Sequence, residues 1–272
     1  MKTSISNIAW PAKDDDVALD LVAELGFNGV EIAPVKAFGP LAEVDDAALR
    51  SFKASVSARG LAVSAMQGLL FGQKDVHLFE SSAARARLGD ALFRVAEIAE
   101  FLGARSCVFG APTVRDPGEL SPKAAREIAV EFFRMVGDRF AEAGTTLCIE
   151  ANPQRYGCRF VTHTREAGDL VGEIGSAGIR MQLDMGTIFV NGESPSVIVE
   201  TASVTGHVHV SEPDLLPVGS GSADHAPLAS GLAASGYDRW LSVEMRQVDD
   251  WRASVTMARN LLDTVYMRTR NQ

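Results

Sequence analysis

The chain has 272 residues, 46% hydrophobic and 22% charged, with a formal net charge of −9. That is ordinary globular composition with apolar material for a large core, at a length close to the roughly 250 residues of one closed α/β barrel. The acidic balance argues against a nucleic-acid or anionic-membrane surface, and no apolar run approaches the roughly 20 residues that span a bilayer.

The opening MKTSISNIAWPAKDDD has no apolar h-region, so no secretory signal is expected. From there short apolar runs alternate with segments of helical periodicity, in eight rounds. The predicted strands are residues 4–10, 29–33, 61–66, 105–109, 146–151, 179–184, 206–210 and 239–245. The first helical stretch carries Val17, Leu21 and Leu25 at helical spacing, which predicts a helix. Ser121-Pro122 and Ser194-Pro195 each offer a hydroxyl N-cap followed by proline at the first helical position. Gly26, Gly60, Gly103, Gly144 and Gly236 stand where helices need a left-handed last residue. No linker, low-complexity tract or charge block interrupts the alternation, so one domain over 1–272 is expected.

Strands alternating with crossover helices imply a parallel sheet, and eight such units close into a (β/α)8 barrel. An open doubly wound sheet is the runner-up, but the first strand–helix turn, Ile8-Ala9-Trp10-Pro11-Ala12, lacks the GxGxxG of a dinucleotide site. Two segments echo each other: Gly26 to Glu31 and Gly236 to Glu244 both read as helix stop, turn, then a strand closing on glutamate. Cys107, Cys148 and Cys158 form no CxxC pair and are odd in number, so a reducing, cytoplasmic setting is expected rather than a disulfide framework. Cys107 and Cys148 read as buried strand filler.

Parallel barrels carry their active sites at the C-terminal ends of the strands. The last four strands there end on Glu150, Asp184, His209 and Glu244, separated by 34, 25 and 35 residues. Each separation is about one strand–helix unit, so the four side chains converge on one rim. His207 shares a strand face with His209 but lies one layer deeper, and is expected to be packed and hydrogen-bonded. Three carboxylates and an imidazole repel or protonate unless a cation joins them. Three oxygen donors and one nitrogen suit one divalent metal ion, Mn2+, Mg2+ or Co2+, with catalytic Zn2+ as a further option.

The runs "CIEANP", "QLDMGTIF", "HVHVSEPD" and "WLSVEMR" resemble the sugar phosphate isomerase/epimerase family, the xylose isomerase-like barrels related to ketose 3-epimerases. The resemblance implies a single (β/α)8 TIM barrel and one Mn2+-like ion held by Glu150, Asp184, His209 and Glu244. It also implies that Glu150 and Glu244 act as the acid/base pair. Self-association, as a homo-oligomer, is implied by analogy only. Where many relatives carry a histidine, this chain has Thr187, and Ser211-Glu212-Pro213-Asp214 stands where the 3-epimerases place an arginine. The expected substrate is therefore a small keto sugar or related polyol rather than a specified ketohexose. Trp10, Gln67, Asn152, Arg155 and Tyr156 are candidate substrate contacts, and Trp10, Glu31 and Gln67 are expected to end the first three strands on the opposite wall. Asp224 or His225 is a candidate replacement for the missing histidine; the competing expectation is a helix cap followed by an exposed imidazole.

The expected chemistry is proton abstraction next to a carbonyl through an enediolate, ending in isomerisation or epimerisation. The alternative is a lyase that uses the same abstraction for β-elimination on a keto sugar or keto-glycoside. An apurinic-site nuclease is disfavoured, because strands three and four carry no histidine and the chain is acidic. A barrel retained only as a binding subunit is disfavoured by the intact ligand set.

Overall fold

The structure is a computed structural model that describes residues 1–268. Eight strands alternate with helices: β1 (Lys2–Ser6), α1 (Asp15–Glu24), β2 (Gly29–Ile32), α2 (Pro34–Phe38), α3 (Asp46–Ala58), β3 (Ala62–Met66), α4 (Ser82–Leu102), β4 (Ser106–Phe109), α5 (Pro122–Glu142), β5 (Thr146–Glu150), α6 (Thr164–Ile174), β6 (Ile179–Asp184), α7 (Met185–Asn191), α8 (Ser196–Glu200), β7 (Thr205–Val210), α9 (Ala226–Ala234), β8 (Trp240–Val243) and α10 (Trp251–Leu261). Every strand pairs in parallel with the next, and β8 returns to β1 with Lys2 opposite Trp240, closing the barrel.

The local chemistry explains the boundaries. Ser121 caps α5 by accepting from the Ala124 N–H, with Pro122 behind it, and Asp250 does the same for α10 at Ala253. The five predicted glycines all have positive φ, from +66° to +81°. At Ser194-Pro195 the helix starts one residue later than expected, at Ser196, whose N–H donates to the Ser194 hydroxyl.

The first strand departs from expectation. β1 stops at Ser6 rather than Trp10, because the Ser6 hydroxyl accepts from the Ile8 N–H and the Asn7 amide oxygen accepts from the Ala33 N–H. Those side-chain bonds turn the chain before Trp10 is reached. In α1 the buried stripe is Ala18, Leu19 and Val22, while Val17 is 50% exposed. Leu21 and Leu25 pack against the core as partly buried side chains.

Helices cover the outside of the barrel with apolar side chains. Phe109 of β4 meets Phe133 of α5 edge-on at 5.4 Å between ring centres, and Phe132 continues the cluster. Strand alternation then leaves the other face for the interior: Thr146, Cys148 and Glu150 occupy successive layers from the bottom to the top of the barrel. All three cysteines are free and buried.

Candidate metal centre

At the C-terminal mouth, Glu150, Asp184, His209 and Glu244 each place a ligand atom within 4.8 Å of the others'. His209 Nδ1 lies 3.1 Å from Glu244 Oε2 and 3.9 Å from Glu150 Oε1. Asp184 is fixed from behind, since its Oδ2 accepts from the Thr187 N–H at 2.7 Å and its Oδ1 accepts from the Ser211 hydroxyl. Thr187 itself donates to the Ala151 carbonyl at 3.0 Å and ties α7 to the end of β5. Thr187, where the resemblance implies a histidine, is here a structural residue.

Packing acidic groups this closely has an electrostatic consequence. Burial, then the carboxylates of Glu244 and Asp184, push Glu150 up to about 8, and burial and Glu244 raise Asp184 as well. The bare cluster therefore holds protons that a divalent cation would displace, which is how an oxygen-rich metal site behaves. The donor set fits a divalent ion: three carboxylates, one imidazole and a wall of second contacts that aim them.

Glu31 supplies the strongest of those second contacts. Its carboxylate is fully buried and reaches across the barrel to His209 Nε2, at 3.0 Å from both oxygens, and to His207 Nε2 at 3.4 Å. Burial alone raises a carboxyl, but the two imidazoles outweigh it and hold Glu31 well below the usual carboxylate range. An ionised Glu31 can only accept, so His209 presents its Nε2 proton to Glu31 and keeps Nδ1 for the cluster. Burial by itself lowers the His209 imidazole; Glu31 and Glu244 reverse this and raise it well above its ordinary value. Glu31, His207 and His209 also form a compact group of metal-competent atoms. Glu31 and His207 are fully buried and are not among the residues that line the cavity beside Glu150 and Glu244, so they buttress His209 through hydrogen bonds.

Glu150 has its own frame. Asn152 Nδ2 donates to Glu150 Oε2 at 2.8 Å. Arg115, 1% exposed, donates from Nη2 to the Asn152 Oδ1 at 2.6 Å and to the Glu150 carbonyl at 2.7 Å. Arg115 thereby sets which way the Asn152 amide points. Gly110 makes room: a Cβ there would stand 2.6 Å from Glu150 Oε2. Glu31, Arg115, Gly110 and Ser211 were not assigned roles from sequence. For Glu31 the echo of Gly26–Glu31 with Gly236–Glu244 was the available signal.

The other candidates are divided. Gln67 and Asn152 line a cavity of about 530 Å3 with Glu150 and Glu244, and Gln67 is anchored by its Nε2 donating to Ser6 Oγ at 2.6 Å. Trp10 does not reach this cavity. Its ring is 1% exposed, its indole N–H donates to Asp15 at 2.7 Å, and it packs against Trp251. The expectation of Trp10 as a substrate contact is therefore corrected to packing. Arg155 and Tyr156 both bind Asp214, at 3.0 Å, and Tyr156 borders a second cavity of about 360 Å3 beside Asp184. His225 is neither exposed nor at the metal ligands: it is buried, hydrogen-bonded to Tyr266 at 2.8 Å and 3.6 Å from Glu212. Asp224 accepts from the Ala226 N–H at the start of α9.

A model of the family described as xylose isomerase-like TIM barrel matches residues 19–261. A Streptomyces coelicolor protein that carries the provisional name hydroxypyruvate isomerase is 28% identical over 138 residues, 48% of this chain. The match spans about half the length of that curated relative. Among solved structures, the D-psicose 3-epimerase of Clostridium cellulolyticum H10 superposes with a TM-score of 0.80 at 20% identity, covering 99% of each chain. An L-ribulose 3-epimerase superposes with a TM-score of 0.84 at 20% identity, covering 100% of this chain and 96% of that one. The 3-keto-D-glucoside 4-epimerase of E. coli gives 0.76 at 20% identity, covering 96% and 99%. At these identities the likeness is one of fold.

Proposed function

The chain belongs to the xylose isomerase-like TIM barrel family, and on that premise we propose that it is a metal-dependent isomerase or epimerase of an uncharged keto sugar or related polyol. The observation that carries this reading is the convergence of Glu150, Asp184, His209 and Glu244 within 4.8 Å at the barrel mouth. These four residues would hold one divalent ion, Mn2+ in first place, with Mg2+, Co2+ and Zn2+ as alternatives. When bound, such an ion supplies Lewis-acid stabilisation to the negative charge that develops on a carbonyl oxygen.

The protein's own groups do the rest. Glu150 and Glu244 both line the 530 Å3 cavity, a volume in the range of small-molecule sites, roughly 300–1,000 Å3. One carboxylate takes the proton next to the carbonyl and the other returns one to the resulting enediolate. That division of labour needs the two groups in opposite protonation states when the substrate is bound. Asn152 holds Glu150 in position, and Gln67 offers its amide oxygen to the cavity while its nitrogen is occupied by Ser6. No lysine or arginine lines this cavity among the described residues, so it lacks the cations that grip a phosphate and favours an uncharged substrate.

The test is solvent-deuterium exchange into a panel of keto sugars and keto-glycosides, with Glu150→Gln and Glu244→Gln as controls. Exchange that disappears in both variants supports the reading, and product analysis then separates epimerisation from β-elimination. Exchange that continues in either variant removes that glutamate from the mechanism.

A further inference from the structure

At the other end of the barrel, where the strands begin, lies a cavity of about 700 Å3. Its lining includes Lys2, Arg105, Arg180 and Arg239 against one carboxylate, Asp238. In a chain of net charge −9 this is a local reversal of sign. Among the described residues, nine arginines outside this cavity pair with carboxylates, such as Arg59 with Asp20, Arg126 with Glu173, Arg139 with Glu97 and Arg259 with Asp263. Among the described residues, none of the four cations in this cavity has an ion-pair partner.

The cations are placed by the fold. Arg180 alternates with Gln182 and Asp184 on the inner face of β6, and Lys2 stands opposite Trp240 where β1 meets β8. Arg105 and Arg239 immediately precede β4 and β8 and are each steadied by one carbonyl, Gly144 at 3.2 Å and Thr205 at 3.1 Å, and among the described residues their other side-chain N–H groups have no hydrogen-bond partner. The half-buried Arg180 guanidinium has no hydrogen-bond partner among the described residues. Gly206 keeps the space beside it open, since a Cβ there would come within 2.6 Å of Arg180 Cβ and 2.8 Å of Cys148 Sγ. The Trp240 ring forms an apolar wall, with Lys2 Nζ 5.5 Å from its centre.

We propose that this mouth of the barrel binds a small, multiply charged anion of the phosphate or phosphate-ester class. Guanidinium groups with free N–H pairs match tetrahedral oxyanions, and a dianion relieves the mutual repulsion of four cations. The site is separate from the metal centre: Arg180 and Asp184 are four residues apart on one strand, about 13 Å. Its ligand is therefore not the reacting end of the substrate, and the inference does not rest on the proposed isomerase chemistry.

The experiment titrates the purified, metal-loaded protein with inorganic phosphate and with glycerol phosphate, holding ionic strength constant with sodium chloride. Calorimetry and Tm are read for the native chain, for Arg180→Gln/Arg239→Gln, and for the milder Lys2→Gln. The expected result is saturable binding by the native protein, with a Tm rise of about 3 °C at ten times Kd. The double variant should bind about tenfold more weakly or worse while keeping its metal content, and Lys2→Gln should fall between. A response no greater than that of sodium chloride would overturn the proposal. So would phosphate binding that survives in the double variant, because it would then belong to the metal end of the barrel.

Discussion

Replacing Glu31 by glutamine tests whether a carboxylate outside the ligand set controls the imidazole inside it. The side chain keeps its size, so the barrel core is not hollowed. What changes is the donor–acceptor pattern: the native carboxylate accepts from two imidazoles, at 3.0 and 3.4 Å, with both oxygens. Glutamine offers one acceptor and one NH2, so one histidine must give up its Nε2 proton. Hydrogen bonds to a buried charge contribute about 1.5–3 kcal/mol each. Where the proton moves to His209 Nδ1, the nitrogen that faces Glu244 is no longer a free ligand. Second contacts of this kind are worth about 10–100-fold in metal affinity, or about 1.4–2.7 kcal/mol. Competition against a fluorescent chelator would measure Mn2+ or Co2+ affinity in both proteins, with circular dichroism as the check on folding. Affinity within about twofold of the native value, in a folded variant, would refute the assignment of Glu31 as the residue that sets the tautomer.

Three further outcomes are expected. Metal affinity should rise with pH from about 6 upward, because Glu150, pushed up to about 8 without a cation, and His209, held well above its ordinary value by Glu31 and Glu244 against its burial, must lose protons to bind one; each released proton gives a slope of up to about tenfold per pH unit, and a flat profile in the same competition assay would contradict the raised groups. Gly110→Ala should displace Glu150, since the new Cβ would stand 2.6 Å from Oε2; a stability loss of about 1–3 kcal/mol by urea unfolding and weaker metal binding are expected, and native values for both would show that Glu150 has slack. Arg115→Met should leave the Asn152 amide unaligned and the Glu150 carbonyl short of a donor, lowering stability by about 1–3 kcal/mol, which urea unfolding measures, with native stability as the contrary result.

Much of this was legible because barrels separate their signals. Strand–helix alternation and the glycine stops follow from local rules that tertiary packing here does not override. The four rim residues stood out because each is a polar side chain closing an apolar strand, one unit apart. The second layer did not stand out. Glu31 also closes an apolar strand, but its partners lie 176 and 178 residues away, a pairing that only closure of the barrel creates. Arg115 sits in a loop without periodicity, so nothing local marks it as buried. Trp10 and His225 were misplaced for a shared reason: side-chain bonds from Ser6, Asn7 and Tyr266 redirect loops whose course sequence does not reveal.

The account depends on one cation at the top of the barrel. Metal analysis of the purified native protein should find about one divalent ion per chain, and Asp184→Ala/His209→Ala should bring that content close to zero while the barrel stays folded. Full occupancy in the double variant would show that these side chains do not form the metal centre.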